Sequence, residues 1–208
     1  MIPDNQLSIQ RYRRAAAGYD ASAERTMALR RRTVALLALQ PGDVVLDVGA
    51  GTGLSYALLR DGVGPSGRVL GVEQSPEMFE QAQQRVRREG WGNVWHALAP
   101  AESVQLPEPA DAALFNFTHD ILRTAAALEN LLRQLKPGAR IAVCGMKFFP
   151  WWTGPLNLLP WLKNRPYNAK AADLWRPWSL LQPRCVQWHQ QTVLGGMGYL
   201  ASARLADV

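Results

Sequence analysis

The sequence has little cysteine, little histidine and no long apolar run. Its two cysteines, Cys144 and Cys185, and its three widely separated histidines predict neither a disulfide framework nor a structural zinc site. No stretch approaches the roughly 18 consecutive apolar residues of a membrane-spanning helix. The polar start of the chain also lacks the pattern of a signal peptide. We therefore expect a cytoplasmic protein.

Strong charge is also absent, apart from an excess of arginine. Charged residues make up 19% of the 208 positions and hydrophobic residues 48%, which favours one packed domain over residues 1–208 and excludes wholesale disorder. The net charge of +6 comes mainly from arginine, and seven arginines lie in the first 32 residues. Asp20 and Glu24 lie among them, which favours a solvated helix face. Without a dense basic tract we expect no nucleic-acid partner.

Short apolar runs alternate with helical patterns through most of the chain. The first run, Val44–Val48, is almost uniformly apolar, as in a parallel strand that helices cover on both faces. Two final runs flank a glycine-rich turn and predict an antiparallel hairpin. The sequence thus predicts an α/β fold with helices on both faces of the sheet. Its seven strands are Val44–Val48, Arg68–Glu73, Asn93–Leu98, Asp111–Asn116, Arg140–Gly145, Arg184–His189 and Tyr199–Leu205.

Helical periodicity fills the intervals between these strands. Residues 1–40 predict an N-terminal helical cap, and Ser75 with Pro76 provides the N-cap and first position of a later helix. Leucines spaced at i, i+3, i+4 and i+7 predict a helix that ends at Pro137-Gly138. The predicted helices cover Leu7–Ala17, Ala21–Leu39, Leu54–Arg60, Pro76–Glu89 and Asp120–Leu135.

The most informative motif is the turn Gly49-Ala50-Gly51-Thr52-Gly53, directly after the first strand. Glycines let the main chain turn tightly and let a ligand approach it closely. Glu73 ends the second strand, where a carboxylate can accept hydrogen bonds from both hydroxyls of a ribose. The spacing G-x-G-x-G and the nearby Asp47 favour a cationic nucleoside over the diphosphate of a nicotinamide cofactor. A nicotinamide-dependent reductase is therefore disfavoured.

Four ordered motifs resemble those of the class I S-adenosylmethionine-dependent methyltransferases, a family that includes the ubiquinone and menaquinone methyltransferases. The motifs are Val45–Gly53, Gly71–Met78, Asp111–Asn116 and Leu135–Arg140. The resemblance implies a Rossmann-like sheet with strand order 3-2-1-4-5-7-6. It also implies S-adenosyl-L-methionine as cofactor and S-adenosyl-L-homocysteine as its product.

The resemblance also implies where the cofactor binds. Asp47 and the glycine loop would hold its methionine part, and a tyrosine before an aspartate, here Tyr19, would close over that end. The family's usual adenine-binding aspartate is missing from Ala99–Glu102. Main-chain amides near Ala101 and Glu102, with apolar packing against Met78, would therefore bind adenine. The predicted cofactor residues are Tyr19, Asp47, Gly49, Ala50, Gly51, Thr52, Gly53, Glu73, Gln74, Met78, Ala101, Glu102 and Asn116.

Two polar residues at the end of the fourth strand are the catalytic candidates. Methyl transfer is an in-line displacement, so alignment of the acceptor and exclusion of water matter most. Asn116 would line the site beside the cofactor, and His119 would serve as a base for an oxygen acceptor. The alternative for His119 is a helix-capping turn, Thr118–Asp120, with no chemical role.

Residues 146–183 differ from the rest because they hold six prolines and five of the eight tryptophans. The fold implied by the resemblance places such insertions over the substrate entrance, so we interpret this segment as a substrate lid. Its apolar character predicts a small apolar or aromatic acceptor. The same tryptophans, with cations nearby, would also suit a membrane surface.

The leading hypothesis is therefore S-adenosylmethionine-dependent methylation of a small, largely apolar acceptor by a monomer or homodimer, with the acceptor atom open among oxygen, nitrogen and carbon. One alternative is an N-methyltransferase of phospholipid headgroups that contacts the membrane peripherally. Another is an accessory protein that binds the cofactor without turnover.

Overall fold

The computed structural model describes residues 26–164 and 174–206. Tyr19, the predicted helix Leu7–Ala17 and the first residues of the predicted helix Ala21–Leu39 lie outside the described residues. So does the central part of the predicted lid, residues 165–173.

Seven strands form one sheet in the order β3-β2-β1-β4-β5-β7-β6. Neighbouring strands from β3 to β5 pair in parallel, whereas β7 runs antiparallel to both β5 and β6. The predicted fold class and strand order are thereby confirmed. The strands are β1 Val44–Val48, β2 Arg68–Glu73, β3 Val94–Leu98, β4 Ala110–Asn116, β5 Leu135–Met146, β6 Cys185–Val193 and β7 Gly198–Leu205.

Helices cover both faces of the sheet and bury its central strands. All five residues of Val44–Val48 are buried, as its uniform apolar character predicts. Within the described part of the chain, the connections also include the short 3₁₀-helices Trp151–Asn157, Gln182–Arg184 and Leu194–Gly196. The α-helices are α1 Met27–Leu36, α2 Tyr56–Val63, α3 Pro76–Arg88, α4 His119–Leu122, α5 Ala125–Leu132 and α6 Leu158–Asn164.

The start of α3 follows the predicted capping chemistry. The Ser75 hydroxyl accepts a hydrogen bond from the main-chain N–H of Met78, and Pro76 occupies the first helical position. This cap satisfies one of the main-chain donors that a helix start leaves unpaired. It also fixes Met78, which is buried, at the edge of the sheet where β2 ends.

The single helix predicted over Asp120–Leu135 is wrong. The chain instead forms α4 and α5, separated near Thr124, whose hydroxyl donates to the Asp120 carbonyl at 2.8 Å. Leu135 is the first residue of β5 and pairs with Ala110, ahead of a register shift. The helical prediction failed because Leu135 lies at helical spacing from the leucines of α5, while its burial comes from its place in the sheet.

A separate apolar cluster seats α1 on the last strands. Leu29 of α1 is buried together with Cys144 of β5, Val193 of β6 and Leu200 of β7. Such contacts stabilise a short helix more than its own propensity does. Within the two described ranges, no helix has the length and hydrophobicity needed to cross a bilayer.

Candidate cofactor-binding site

The three glycines of the loop after β1 have left-handed backbone angles, with φ of +62° at Gly49, +59° at Gly51 and +75° at Gly53. Glycine adopts this conformation without the strain that a side chain would add. Their surroundings differ. A Cβ placed on Gly51 would meet no atom within 4 Å, so its main chain borders open space where a ligand can approach.

The other two glycines are required by packing inside the protein. A Cβ on Gly49 would lie 2.7 Å from the Thr118 side chain, and one on Gly53 would lie 2.7 Å from the Tyr56 ring. The sequence motif predicts close ligand approach for all three glycines. In the structure this reason applies to Gly51, whereas Gly49 and Gly53 make room for neighbouring side chains.

A cleft opens at the carboxyl ends of β1, β2 and β4, beside Gly51. Parallel α/β sheets bind ligands at this edge, where the strand order reverses. The cleft brings together eight of the predicted site residues: Gly49, Gly51, Glu73, Gln74, Met78, Ala101, Asn116 and His119. Its other lining residues, which the sequence analysis did not identify, are Val72, Ala99, Phe117, Thr118, Asp120 and Ile121.

The Glu73 carboxylate is fixed by three main-chain donors. It accepts hydrogen bonds from the N–H groups of Gly51 at 2.8 Å, Gln74 at 2.9 Å and Ser75 at 2.8 Å. Burial raises the pKa of this carboxyl group, and the three N–H groups oppose that effect. A carboxylate can accept about four hydrogen bonds, so Glu73 is oriented and retains acceptor capacity toward the cleft.

Asp47 lies behind the glycine loop rather than on the cleft wall. It is 2% exposed, and its Oδ2 atom has no hydrogen-bond partner among the residues that the structure describes. Burial raises the pKa of Asp47 to about 7, while Arg30 lowers it and Glu73 raises it further. A buried carboxylate without a hydrogen-bonding cation is expensive, and a ligand ammonium group would offset that cost.

Arg30, on α1, is the charged residue that sequence reasoning missed. It is buried, and its guanidinium donates to the hydroxyls of Ser55 at 3.2 Å and Thr26 at 3.3 Å. The same group lies 5.8 Å from the centre of the Phe117 ring, which lines the cleft. Arg30 therefore brings positive charge to the end of the site where Asp47 is buried.

Two polar side chains at the end of β4 have unused hydrogen-bonding capacity. Both amide atoms of Asn116 and the hydroxyl of Thr118 are buried, and they have no partner within residues 26–164 and 174–206. Buried polar groups are normally hydrogen-bonded. Between them Phe117 adopts φ +63°, a conformation rare for a side chain of this size. These features mark the cleft wall as a place prepared for a ligand.

His119 is buried on the same wall, and its hydrogen bonding differs from the sequence expectation. Its Nε2 atom accepts the main-chain N–H of Met146 at 2.7 Å, so the neutral ring carries its proton on Nδ1. Burial lowers the pKa of His119 to about 4. While this hydrogen bond is intact, Nε2 is not available to take a proton from an acceptor, and the base role of His119 stays a prediction.

The adenine side is shaped by Asn130, a second residue missed by sequence reasoning. Its buried side-chain amide donates to the carbonyls of Ala101 at 3.0 Å and Val104 at 2.9 Å. This fixes the turn after β3, where the usual aspartate is missing. Ala101 lines the cleft and Glu102 does not. Adenine recognition by main-chain amides here stays a prediction.

Three other predicted cofactor residues, Ala50, Thr52 and Gly53, are not on the cleft wall. The Ala50 N–H donates to the Val72 carbonyl at 3.0 Å, and the Thr52 carbonyl accepts from Arg85 at 3.0 Å. In the structure these residues hold the loop's shape. Direct cofactor contact by them stays a prediction.

Comparison of the sequence with known protein families assigns the chain to one of them. Residues 39–186 match the methyltransferase domain family, which is more than half of the chain. The chain belongs to the class I S-adenosylmethionine-dependent methyltransferases. The predicted family is thus confirmed, and its members use S-adenosylmethionine as cofactor.

The relatives that this chain matches have names that give different methyl acceptors. It is 36% identical over 138 residues to a protein-L-isoaspartate O-methyltransferase of Aeropyrum pernix, covering 65% of this chain and 48% of that protein. It is 32% identical over 117 residues to a ubiquinone/menaquinone biosynthesis C-methyltransferase of Hydrogenovibrio crunogenus, covering 55% and 46%. The chain therefore spans about half the length of these curated relatives.

A solved structure supports the fold. The S-adenosylmethionine-dependent methyltransferase of Aquifex aeolicus superposes with a TM-score of 0.66 at 24% identity, over 85% of this chain and 89% of that chain. In this chain, the open space at Gly51 and the Asp47 oxygen that lacks a partner among the described residues fit S-adenosylmethionine, whose methionine part carries an ammonium group.

Proposed function

We propose that the protein transfers a methyl group from S-adenosylmethionine to a small, largely apolar or aromatic acceptor. The observation that carries the proposal is the wall at the end of β4. There the side-chain amide of Asn116, which has no hydrogen-bond partner among the described residues, lies beside Phe117 and Ile121 in the same cleft. Such a wall favours an apolar molecule with one polar atom for Asn116 to bind.

The residues of the cleft wall, together with Asp47 behind the glycine loop, would each have a separate role. When bound, S-adenosylmethionine supplies an electrophilic methyl group on a positively charged sulfur. Glu73 would accept hydrogen bonds from the ribose hydroxyls, and Asp47 would stabilise the ammonium group. Asn116 would orient the acceptor's polar atom, while Phe117 and Ile121 would exclude water. Alignment of this kind is the main requirement of an in-line displacement.

A cofactor-binding experiment tests the first half of this proposal. Calorimetry with S-adenosylhomocysteine should show binding to the wild type and at least about tenfold weaker binding to Glu73→Ala, since a charge-assisted hydrogen bond is lost. Glu80→Ala, which removes an exposed carboxylate from α3, is the matched control and should bind like the wild type. Equal affinity in all three proteins would refute the assignment of the ribose site.

An acceptor screen tests the second half. Small phenols, quinones or apolar amines should stimulate the release of S-adenosylhomocysteine by the wild type. The same acceptors should stimulate release by Asn116→Ala to a smaller extent. Polar peptides containing isoaspartate are the contrasting acceptors. Stimulation by such peptides alone would contradict the apolar acceptor, and cofactor binding without turnover on any class would favour the accessory-protein alternative.

A second candidate function is N-methylation of phospholipid headgroups. The exposed Trp151 and Trp152, which follow β5 after four intervening residues, support it, because tryptophan suits the boundary between water and lipid. Vesicles that contain phosphatidylethanolamine would then gain methyl groups detectable by mass spectrometry. Methylation of the soluble panel without any change in these lipids would exclude it.

A further inference from the structure

An apolar surface that is exposed among the described residues begins after the four residues that follow β5, and none of its residues lines the cleft. This surface, the aromatic rim, is the segment Trp151–Leu162. Trp151 is 78% exposed and Trp152 is 70% exposed. Five more large apolar side chains, between 37% and 58% exposed, belong to it: Leu156, Leu158, Leu159, Trp161 and Leu162. Soluble proteins rarely leave a contiguous apolar patch of this kind uncovered.

The residues between β5 and the aromatic rim are held in place by hydrogen bonds from their main-chain N–H groups. The Lys147 N–H donates to the Met197 carbonyl at 2.8 Å, and the Phe148 N–H donates to the Leu174 carbonyl at 2.9 Å. The Phe149 N–H donates to the Asn157 side chain at 2.8 Å. Met146, just before, contacts His119 of the cleft wall. The rim therefore begins at the edge of the sheet where the cleft opens.

Charge distinguishes the possible occupants of this surface. From Lys147 to Arg184 the sequence has one acidic residue, Asp173, and the cations Lys147, Lys163, Arg165, Lys170, Arg176 and Arg184. A second copy of the chain would bring two such positively charged segments together, which is unfavourable. An anionic lipid surface attracts these cations and accepts the apolar side chains at its boundary.

We propose that the aromatic rim docks on the surface of an anionic phospholipid bilayer. Trp151 and Trp152 would enter the boundary between headgroups and acyl chains, and the described cations nearest in the chain, Lys147 and Arg176, would contact lipid phosphates. Docking would place the cleft next to the lipid phase, where apolar molecules accumulate. The surface, and hence this inference, does not depend on which acceptor the enzyme methylates.

Vesicle sedimentation of the full chain tests the proposal. The wild type should sediment with phosphatidylcholine vesicles that contain phosphatidylglycerol, and less with phosphatidylcholine alone or at high salt. Trp151→Ser with Trp152→Ser should weaken the partitioning at least about tenfold, because burial of one large apolar side chain is worth roughly that factor. The control Val186→Ser, an exposed apolar residue of β6, should change it less than about twofold.

Two further measurements keep the outcome clear. Brominated acyl chains should quench the tryptophan fluorescence of the bound wild type, which needs no variant. Calorimetry with S-adenosylhomocysteine should give the same affinity for the wild type and the double tryptophan variant, which separates docking from cofactor binding. Absence of sedimentation with both vesicle types would overturn the proposal. So would a wild-type dimer in analytical ultracentrifugation that the double variant loses, since the surface would then bind a second copy.

Discussion

The main-chain N–H of Met146 donates a 2.7 Å hydrogen bond to Nε2 of His119, which ties the end of β5 to the start of α4. Gly145 makes room for this contact, because a Cβ there would lie 2.8 Å from the same nitrogen. The contact needs a neutral imidazole with a lone pair on Nε2. It therefore joins the geometry of the cleft to the protonation state of one buried ring.

His119 should make the stability of the protein depend on pH. Burial lowers its pKa from 6.5 to about 4, so its contribution is complete above about pH 6.5 and is lost as the pH falls toward 4. We expect the stability advantage of the wild type over His119→Gln to shrink by about 2 kcal/mol between about pH 7.5 and pH 5. Urea denaturation at both pH values measures it. An advantage that does not change with pH would contradict the neutral buried ring.

Asp47 should give the folding stability the opposite pH dependence, with a cost that increases as the pH rises. Burial raises its pKa from 3.8 to about 7, so the charged carboxylate costs folding free energy that grows as the pH rises from about 4 to 7. Asp47→Asn should therefore stabilise the ligand-free protein at about pH 8, on the order of 2–4 kcal/mol, and have little effect at about pH 4. Denaturant titrations at these pH values measure the difference.

The same substitution should weaken cofactor binding. If Asp47 pairs with the ammonium group, Asp47→Asn should lower the affinity for S-adenosylhomocysteine at least about tenfold, while leaving the affinity for 5′-methylthioadenosine, which has no amino-acid part, almost unchanged. Equal losses for both ligands in calorimetry would contradict this assignment.

Glycines of the loop should respond differently to alanine. Gly51→Ala should fold, with a free energy of unfolding lower by roughly 1–2 kcal/mol because of the left-handed backbone alone. It should also bind the cofactor more weakly, because the new methyl group enters the cleft. Gly53→Ala should lose more stability, since its Cβ would collide with the Tyr56 ring. Thermal denaturation and calorimetry on both variants separate the two effects. Similar stability losses would refute the distinction.

Arg30 should support the site electrostatically. Arg30→Met removes the cation that lowers the pKa of Asp47, together with the hydrogen bonds to Ser55 and Thr26. We expect the free energy of unfolding to fall by about 2 kcal/mol at neutral pH, and S-adenosylhomocysteine to bind more weakly. Arg31→Met, which alters an exposed neighbour on α1, is the control and should show neither effect. Matching behaviour of the two variants would contradict the role of Arg30.

Much of the fold could be predicted because the central strands β1, β2 and β4 are short apolar runs between turn residues, and Ser75-Pro76 marks the start of α3. The glycine loop and Glu73 were predictable because their chemistry is local in sequence. The break between α4 and α5 was not, since Leu135 continues the period of Leu128 and Leu131 while belonging to β5.

Other features depend on packing that one sequence does not reveal. Three consecutive arginines, 30–32, are identical in type, and only the docking of α1 decides that Arg30 is buried and its neighbours exposed. Composition likewise showed that residues 146–183 are rich in tryptophan and proline, but not which of these side chains are exposed. The bond from Met146 to His119 joins residues 27 positions apart and had no local signal.

The cluster of Leu29, Cys144, Val193 and Leu200 has a consequence for shortened versions of the protein. The family match spans residues 39–186, so a fragment cut to those limits would lose α1 together with most of the β6–β7 hairpin that supports it. It would keep every glycine of the loop. Yet Asp47 would lose its arginine neighbour, and the sheet would end at β5 with an unprotected edge prone to self-association.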